Sequence, residues 1–204
     1  MLTVIDYDAG NLRSVETALR HLGATFRISA EPEHLRTADR IILPGVGDAR
    51  AAMERLNASG IAEALRTRVF EGVPMLGICL GTQIILDRSE ESDATCLGVI
   101  HGETVRFDDR PGRKIPHMGW NTLSISTSHP LFHNVPTDAA FYFVHSFFPQ
   151  PARADTVLAE TDYHQHFASV LGQDNVVATK FHPEKSGEFG LRMLNNCLSW
   201  DGGA

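Results

Sequence analysis

The pentapeptide Gly77-Ile78-Cys79-Leu80-Gly81 carries the most reactive chemistry this chain can offer. The apolar run Met75–Ile78 leads into it, and a helical pattern containing Gln83, Ile84 and Leu86 follows. A nucleophile in a glycine-flanked turn between a strand and a helix projects above the sheet edge, and the helix start favours a thiolate. The amide of Leu80 would point to where an oxyanion forms. A free cysteine in an ordinary setting is a small buried apolar residue. Cys96 and Cys197 have no such turn around them and are read as packing residues.

A thiol that attacks an amide needs a proton shuttle, and the shuttle needs an orienting group. Phe181-His182-Pro183-Glu184 offers both. Pro183 biases His182 toward extended backbone, so Glu184, two residues on, lies on the same side and can reach the ring. His-x-Glu alone is common in a chain with ten histidines. Here it follows a strand-like run, Asn175–Phe181, at the end of a parallel strand where such sheets meet their ligands. The turn Pro44-Gly45-Val46-Gly47 is either structural or a second source of oxyanion donors, because its glycines let backbone approach a ligand closely. His164 and His166 lack an acidic or cysteine partner at ligand spacing, so no metal is expected.

These residues need elements to hold them. Leu2–Asp6, Phe26–Ser29, Arg40–Leu43 and Met75–Ile78 read as strands, and helical patterns fall between them. The first helix has Leu12, Val15, Leu19 and Leu22 on one face, with Asn11 as its cap and Gly23 as its end. Further helices are expected over Ala49–Leu56 and Ile61–Phe70. Between them and the final strand lie short β runs at Leu97–Ile100, Thr104–Phe107, Thr122–Ile125, Phe141–Val144 and Thr156–Glu160. A last helix, capped by Ser186, carries Leu191, Leu194 and Leu198. The pattern predicts one α/β domain over residues 1–204: three layers, with a mostly parallel central sheet flanked by helices and extended by antiparallel strands.

Composition narrows the function classes. Of 204 residues, 43% are hydrophobic, and the formal charge of −7, without a Lys/Arg cluster, argues against nucleic-acid binding. No apolar run approaches the ~20 residues that span a bilayer, and no secretion signal precedes the first strand. Three cysteines make no disulfide framework. A reduced, cytoplasmic protein is expected.

Together, Pro44–Gly47, Gly77–Gln83 and Phe181–Glu184 resemble the class I (triad) glutamine amidotransferases. Five further stretches narrow the resemblance: Ile5-Asp6-Tyr7, Gly10–Ser14, Pro116–Asn121, Tyr142–Ser146 and Lys185-Ser186. They point to the glutaminase subunits that feed a (β/α)₈-barrel cyclase subunit in histidine biosynthesis. The resemblance runs from Leu2 to Leu198. It implies Cys79, His182 and Glu184 as the catalytic triad, and Gly45, Val46 and Leu80 around the oxyanion. It implies glutamine as substrate, held by Gln83, Glu91, Ser146 and Phe147. Asn11, Trp120 and Lys185 would face the cyclase, no cofactor is needed, and the free subunit would turn over glutamine slowly. Asp8, Thr82 and Phe147 depart from the family's common glycine, methionine and tyrosine. Thr82 is expected to alter the pocket wall, and Phe147 lacks a hydroxyl that could reach substrate or partner. Two rival readings remain within reach of the sequence: a stand-alone cysteine hydrolase on the same turn, and a non-catalytic binding module.

Overall fold

A computed structural model describes residues 1–8 and 10–203. Its strands are β1 (Leu2–Ile5), β2 (Phe26–Ser29), β3 (Arg40–Leu43), β4 (Met75–Ile78), β5 (Arg88–Ser89), β6 (Ala94–Thr95) and β7 (Gly102–Arg106). They continue with β8 (His117–Thr122), β9 (Ser124–Ile125), β10 (Ala140–His145), β11 (Phe147–Pro151), β12 (Val157–Asp162), β13 (His166–Gln173) and β14 (Val176–Thr179). The helices are α1 (Leu12–His21), α2 (Pro32–Arg36), α3 (Ala49–Ala58), α4 (Ile61–Phe70), α5 (Leu80–Ile84) and α6 (Gly187–Ser199).

The main sheet has eight strands in the order β2-β1-β3-β4-β14-β13-β12-β9. The first five run parallel, and β13, β12 and β9 extend the sheet antiparallel. Period-two alternation sends neighbouring side chains to opposite faces. Ile41 and Leu43 of β3 therefore pack with Met53 and Leu56 of α3 and Leu65 of α4, while Ile42 packs with Leu19 of α1 and Leu194 of α6. Val15 and Leu19, fully buried on one stripe of α1, each contribute about 1.5–3 kcal/mol of apolar burial. The three-layer expectation holds. Two smaller sheets, β10-β8 and β11-β7-β5-β6, complete the fold.

The consequence for function lies in three adjacent strands. The order β3-β4-β14 brings three C-terminal ends side by side, with neighbouring strands ~4.8 Å apart. The Pro44–Gly47 turn follows β3, Cys79 follows β4, and His182 lies three residues beyond β14. Residues as far apart in sequence as Pro44 and His182, 138 positions, are thus forced onto one rim.

Several expectations need correction. Leu97–Ile100 is no strand. The amides of Leu97, Gly98, Val99 and Ile100 donate to the carbonyls of Ile84, Leu86 and Ile85, because the carbonyls at the end of α5 have no intrahelical partners and need donors. Thr122–Ile125 divides at buried Leu123: Thr122 closes β8, and Ser124–Ile125 forms the edge strand β9. The final strand stops at Thr179, short of Phe181. Asn11 and Ser186 precede α1 and α6, yet neither side chain caps its helix. Both are used elsewhere, as described below.

Gly81 shows how tightly the rim is packed. A Cβ there would lie 2.0 Å from the Leu43 carbonyl oxygen, which belongs to backbone and cannot turn away. Gly81→Ala should lower the free energy of unfolding by about 1–3 kcal/mol, the ordinary cost of overpacking, as measured by urea denaturation. Unchanged stability would show that β3 and α5 have room to separate.

Candidate active site

Cys79 has φ 55° and ψ −99°, a backbone conformation that L-residues seldom adopt. The ladder enforces it: the Cys79 amide donates to the Thr179 carbonyl of β14 (2.8 Å), while α5 starts at the next residue. The turn is therefore sharp, and the thiol lies at the helix start. Thr82 locks the same corner, since its hydroxyl donates to the Thr179 carbonyl at 2.6 Å. Thr82 is fully buried on the β14 backbone, so its departure from the family pattern serves the elbow and not a pocket wall.

Past β14, the His182 amide donates to the Tyr142 carbonyl of β10 (2.9 Å), and a short 3-10 turn covers Pro183–Lys185. Ser186 ties this turn down. Its hydroxyl donates to the His182 carbonyl (2.6 Å) and accepts from the Tyr142 amide (2.9 Å). His182 Nδ1 is 2.7 Å from Glu184 Oε1, and both side chains are fully shielded from solvent. Asn11 enters here: its Nδ2 donates to Glu184 Oε1 at 2.6 Å and lies 3.4 Å from His182 Nδ1. The extended His-Pro-Glu spacing thus delivers the expected pair, and the N-cap residue of α1 braces it.

With Nδ1 engaged by Glu184, Nε2 is the nitrogen left for the thiol. Cys79 and His182 are neighbours whose charges stabilise each other. Nε2 nevertheless has no partner at strict hydrogen-bond geometry among the described residues. Burial raises the Cys79 thiol, but the Lys180 ammonium and His182 outweigh it, and the thiol lies below its ordinary range. Burial likewise opposes protonation of His182, and Cys79 and Glu184 override it, so the ring is held well above the usual imidazole range. The pair favours thiolate and imidazolium. By contrast, burial pushes Cys96 and Cys197 up to about 12. Of three cysteines, one is poised to react.

The Gly45–Val46 turn and the Leu80 amide, which the resemblance links to the oxyanion, are bonded to each other. The Leu80 amide donates to the Gly45 carbonyl at 3.2 Å, so the peptide after Gly45 presents its oxygen, not its N–H, to the helix start. Tyr7 holds the loop from behind by donating its hydroxyl to the Pro44 carbonyl at 2.8 Å. A Cβ on Gly45 would fall 2.1 Å from that hydroxyl oxygen, and Gly47 sits at φ 110°. Val46 and Leu80 border a cleft of about 320 Å³ that also touches Gly10 and Arg55. A larger cavity of about 510 Å³, near Phe70 and Asn175 at the opposite strand ends, contains none of these groups.

Gln83 and Glu91, both matched to the amino-acid end of the substrate by the resemblance, bond to each other. Gln83 Nε2 donates to Glu91 Oε2 (2.7 Å) and Ser89 Oγ (2.9 Å), and the Ala49 amide donates to Glu91 Oε2 (3.0 Å). Burial raises Glu91, against these bonds. Ser146 and Phe147 stand half-buried at the β10–β11 junction, where β11 packs on α5. Trp120 and Lys185 are exposed, and Trp120 lies opposite Tyr142 across the β8–β10 ladder. No group of His, Cys, Asp or Glu among the described residues could hold a metal ion.

Sequence reasoning missed two contributors. Lys180 is 1% exposed, and its Nζ donates to Gln83 Oε1 at 3.3 Å. Its signal was a single charge in the otherwise uncharged run from Asn175 to Phe181. Tyr7 offered no signal apart from its motif.

A glycine-braced thiol elbow beside a buried His–Glu pair on a parallel sheet rim is the architecture of the class I glutamine amidotransferases, whose family model matches residues 3–199; the chain belongs to that family. Within it, the chain resembles imidazole glycerol phosphate synthase subunit HisH from several bacteria. It is 43% identical to that of Dehalococcoides mccartyi strain CBDB1 over 197 residues, covering 96% of this chain and 95% of the relative. For Chloroflexus aurantiacus the values are 44% over 204 residues, 98% and 96%, and for Geobacillus thermodenitrificans 45% over 200 residues, 96% and 93%. These relatives place the chain among the glutamine amidotransferase subunits of imidazole glycerol phosphate synthase. Among solved folds, PurLQS from Thermotoga maritima superposes with a TM-score of 0.74 at 20% identity, covering 97% of each chain. A structure described as a glutamine amidotransferase gives 0.72 at 23%, covering 96% of this chain and 98% of the other. No helix among the described residues is long and apolar enough to cross a membrane.

Glu184→Gln removes the charge that favours the imidazolium. His182 should then titrate lower and Cys79 higher, so the pH profile of Cys79 alkylation by iodoacetamide should move to higher pH. The rate at neutral pH should fall by about tenfold for each unit of that shift. An unmoved profile would separate Glu184 from the pair.

Proposed function

We propose that Cys79, His182 and Glu184 hydrolyse glutamine and that the ammonia passes to a (β/α)₈-barrel cyclase subunit, which uses it to make imidazole glycerol phosphate. The observation that carries this reading is the buried His182–Glu184 pair on the same sheet rim as the strained Cys79 turn, beside a glycine loop that could supply an oxyanion donor.

The Cys79 sulfur attacks the carboxamide carbon, and the Leu80 N–H and a turned Gly45–Val46 peptide hold the oxygen that becomes negative. His182 gives its proton to the departing nitrogen, so ammonia leaves and a γ-glutamyl thioester remains. The ring, now neutral, takes a proton from water, which attacks the thioester. The thiolate leaves, and glutamate is released. Glu184 holds the ring in the required tautomer and stabilises its charged form. Gln83, Glu91 and the chain at Ser146 and Phe147 hold the amino-acid end of glutamine.

Ammonia in neutral water is mostly ammonium, which is no nucleophile, so delivery requires a dry passage. The exposed Trp120 and Met118 on β8, at 59% and 63% exposure, form an apolar surface suited to a subunit contact. Lys185 flanks the triad, and Asn11 reaches into it. Contact at Trp120 has a short physical route to the reactive centre: Trp120 pairs with Tyr142, whose carbonyl holds the His182 amide.

The bond between the Leu80 amide and the Gly45 carbonyl blocks the oxyanion position, so glutaminase activity of the free subunit should be low. Adding ligand-bound cyclase should raise it by roughly 10- to 100-fold, within the usual span of allosteric couplings, as read by steady-state glutamine turnover. Full activity in the free subunit would contradict this gate. Cys79→Ala should abolish glutamine-dependent cyclisation while leaving cyclisation with added ammonium salt intact. Loss of both would indicate damage to the complex, and loss of neither would remove Cys79 from the reaction.

A further inference from the structure

Lys180 takes no part in the steps above, yet it occupies the floor between their participants. It follows β14 by one residue, two before His182, and its amide donates to the Ser169 carbonyl of β13 at 2.8 Å. That bond draws the chain away from β4, and the side chain is enclosed. Its ammonium has three donors, and Gln83 Oε1 is its one hydrogen-bond acceptor among the described residues.

The charges around it are unevenly arranged. Facing the ammonium are Cys79 from the elbow, Glu91 from the turn after β5, and His145 from the end of β10. Facing the sulfur are Lys180, His182 and Glu184, with the phenol of Tyr7 on the β1 side. His145 is no rival cation: it lies buried, burial holds its ring well below the usual imidazole range, and its Nδ1 is 2.8 Å from the Phe147 carbonyl oxygen. Apart from His182, Lys180 is therefore the positive group within reach of the thiolate. His182 must lose its proton to the leaving nitrogen, so the imidazolium is transient by necessity. A positive group other than the imidazole is useful when the thioester collapses and the sulfur leaves as an anion.

We infer that Lys180 is a positioning residue with two tasks, a fixed positive charge that keeps the Cys79 sulfur anionic and a clamp on Gln83 that aims its amide at Glu91. The inference rests on the function proposed above for Cys79. The clamp follows from hydrogen-bond polarity. Lys180 can only donate, so it selects the Gln83 orientation with Oε1 inward and Nε2 toward Glu91 and Ser89. An isolated ammonium with this burial would shed its proton. Burial holds Lys180 below the usual ammonium range, and the Cys79 thiolate and Glu91 carboxylate oppose that loss.

Two variants separate the tasks. Lys180→Met removes charge and donor, whereas Lys180→Gln removes the charge but keeps a donor for Gln83. In both, the apparent pKa for iodoacetamide alkylation of Cys79 in the free chain should rise by about one unit, with about tenfold slower alkylation on the acid side. In the complex, KM for glutamine should rise in Lys180→Met and recover in Lys180→Gln, while kcat falls in both. An alkylation profile unchanged in either folded variant, judged by circular dichroism and thermal melting, would overturn the fixed-charge role. An equal KM in the two would overturn the clamp. Alkylation needs no glutamine and no partner. Failure of the charge argument is thus distinguishable from failure of the glutaminase assignment, which wild-type turnover reports.

Discussion

A negatively charged sulfur can persist in a nearly closed site only if positive charge is fixed beside it, and this constraint organises the whole rim. Cys79 is 6% exposed, and burial alone would raise its thiol as it does Cys96 and Cys197. What distinguishes Cys79 is its company. His182 and Lys180, both from the segment that follows β14, oppose the desolvation, and Glu184 in turn keeps His182 protonated. The arrangement is a small network of alternating charge, and removal of any member leaves another uncompensated.

Topology makes the network affordable in chain entropy. The residues come from segments far apart in sequence, but a parallel ladder places β3, β4 and β14 in adjacent positions whatever their separation. Backbone hydrogen bonds then hold the functional groups without spending side-chain contacts: Cys79 N on Thr179 O, His182 N on Tyr142 O, Lys180 N on Ser169 O. The same economy explains the two failed helix caps. Asn11 and Ser186 sit where capping residues belong, and their side chains serve Glu184 and the His182 turn instead.

Much of this was legible beforehand, and the limits are instructive. The β/α alternation and the two motifs required only local reading, because period-two and period-3.6 patterns are imposed by one face of burial. Leu97–Ile100 misled for the same reason: an apolar run looks like a strand whether it pairs with a strand or wraps the end of α5. The His182–Glu184 contact followed from extended spacing across Pro183. Lys180 did not follow, since its role arises from the junction of β14, α5 and the turn bearing Glu91, which no local pattern encodes. The sequence left the turn at Gly45 open between a structural role and a backbone approach. The direction of its peptide, with the carbonyl on the Leu80 amide, was not legible, because two peptide orientations share one sequence.

The central claim is that the Cys79 sulfur forms a covalent bond to the substrate. Its most direct test is rapid acid quenching of the subunit–cyclase complex during glutamine turnover, followed by peptide mass spectrometry. The account predicts a γ-glutamyl adduct on the peptide containing Cys79, absent from Cys96 and Cys197, and accumulating when thioester hydrolysis is slowed. Rapid turnover with no adduct, or an adduct on either of the other cysteines, would contradict it.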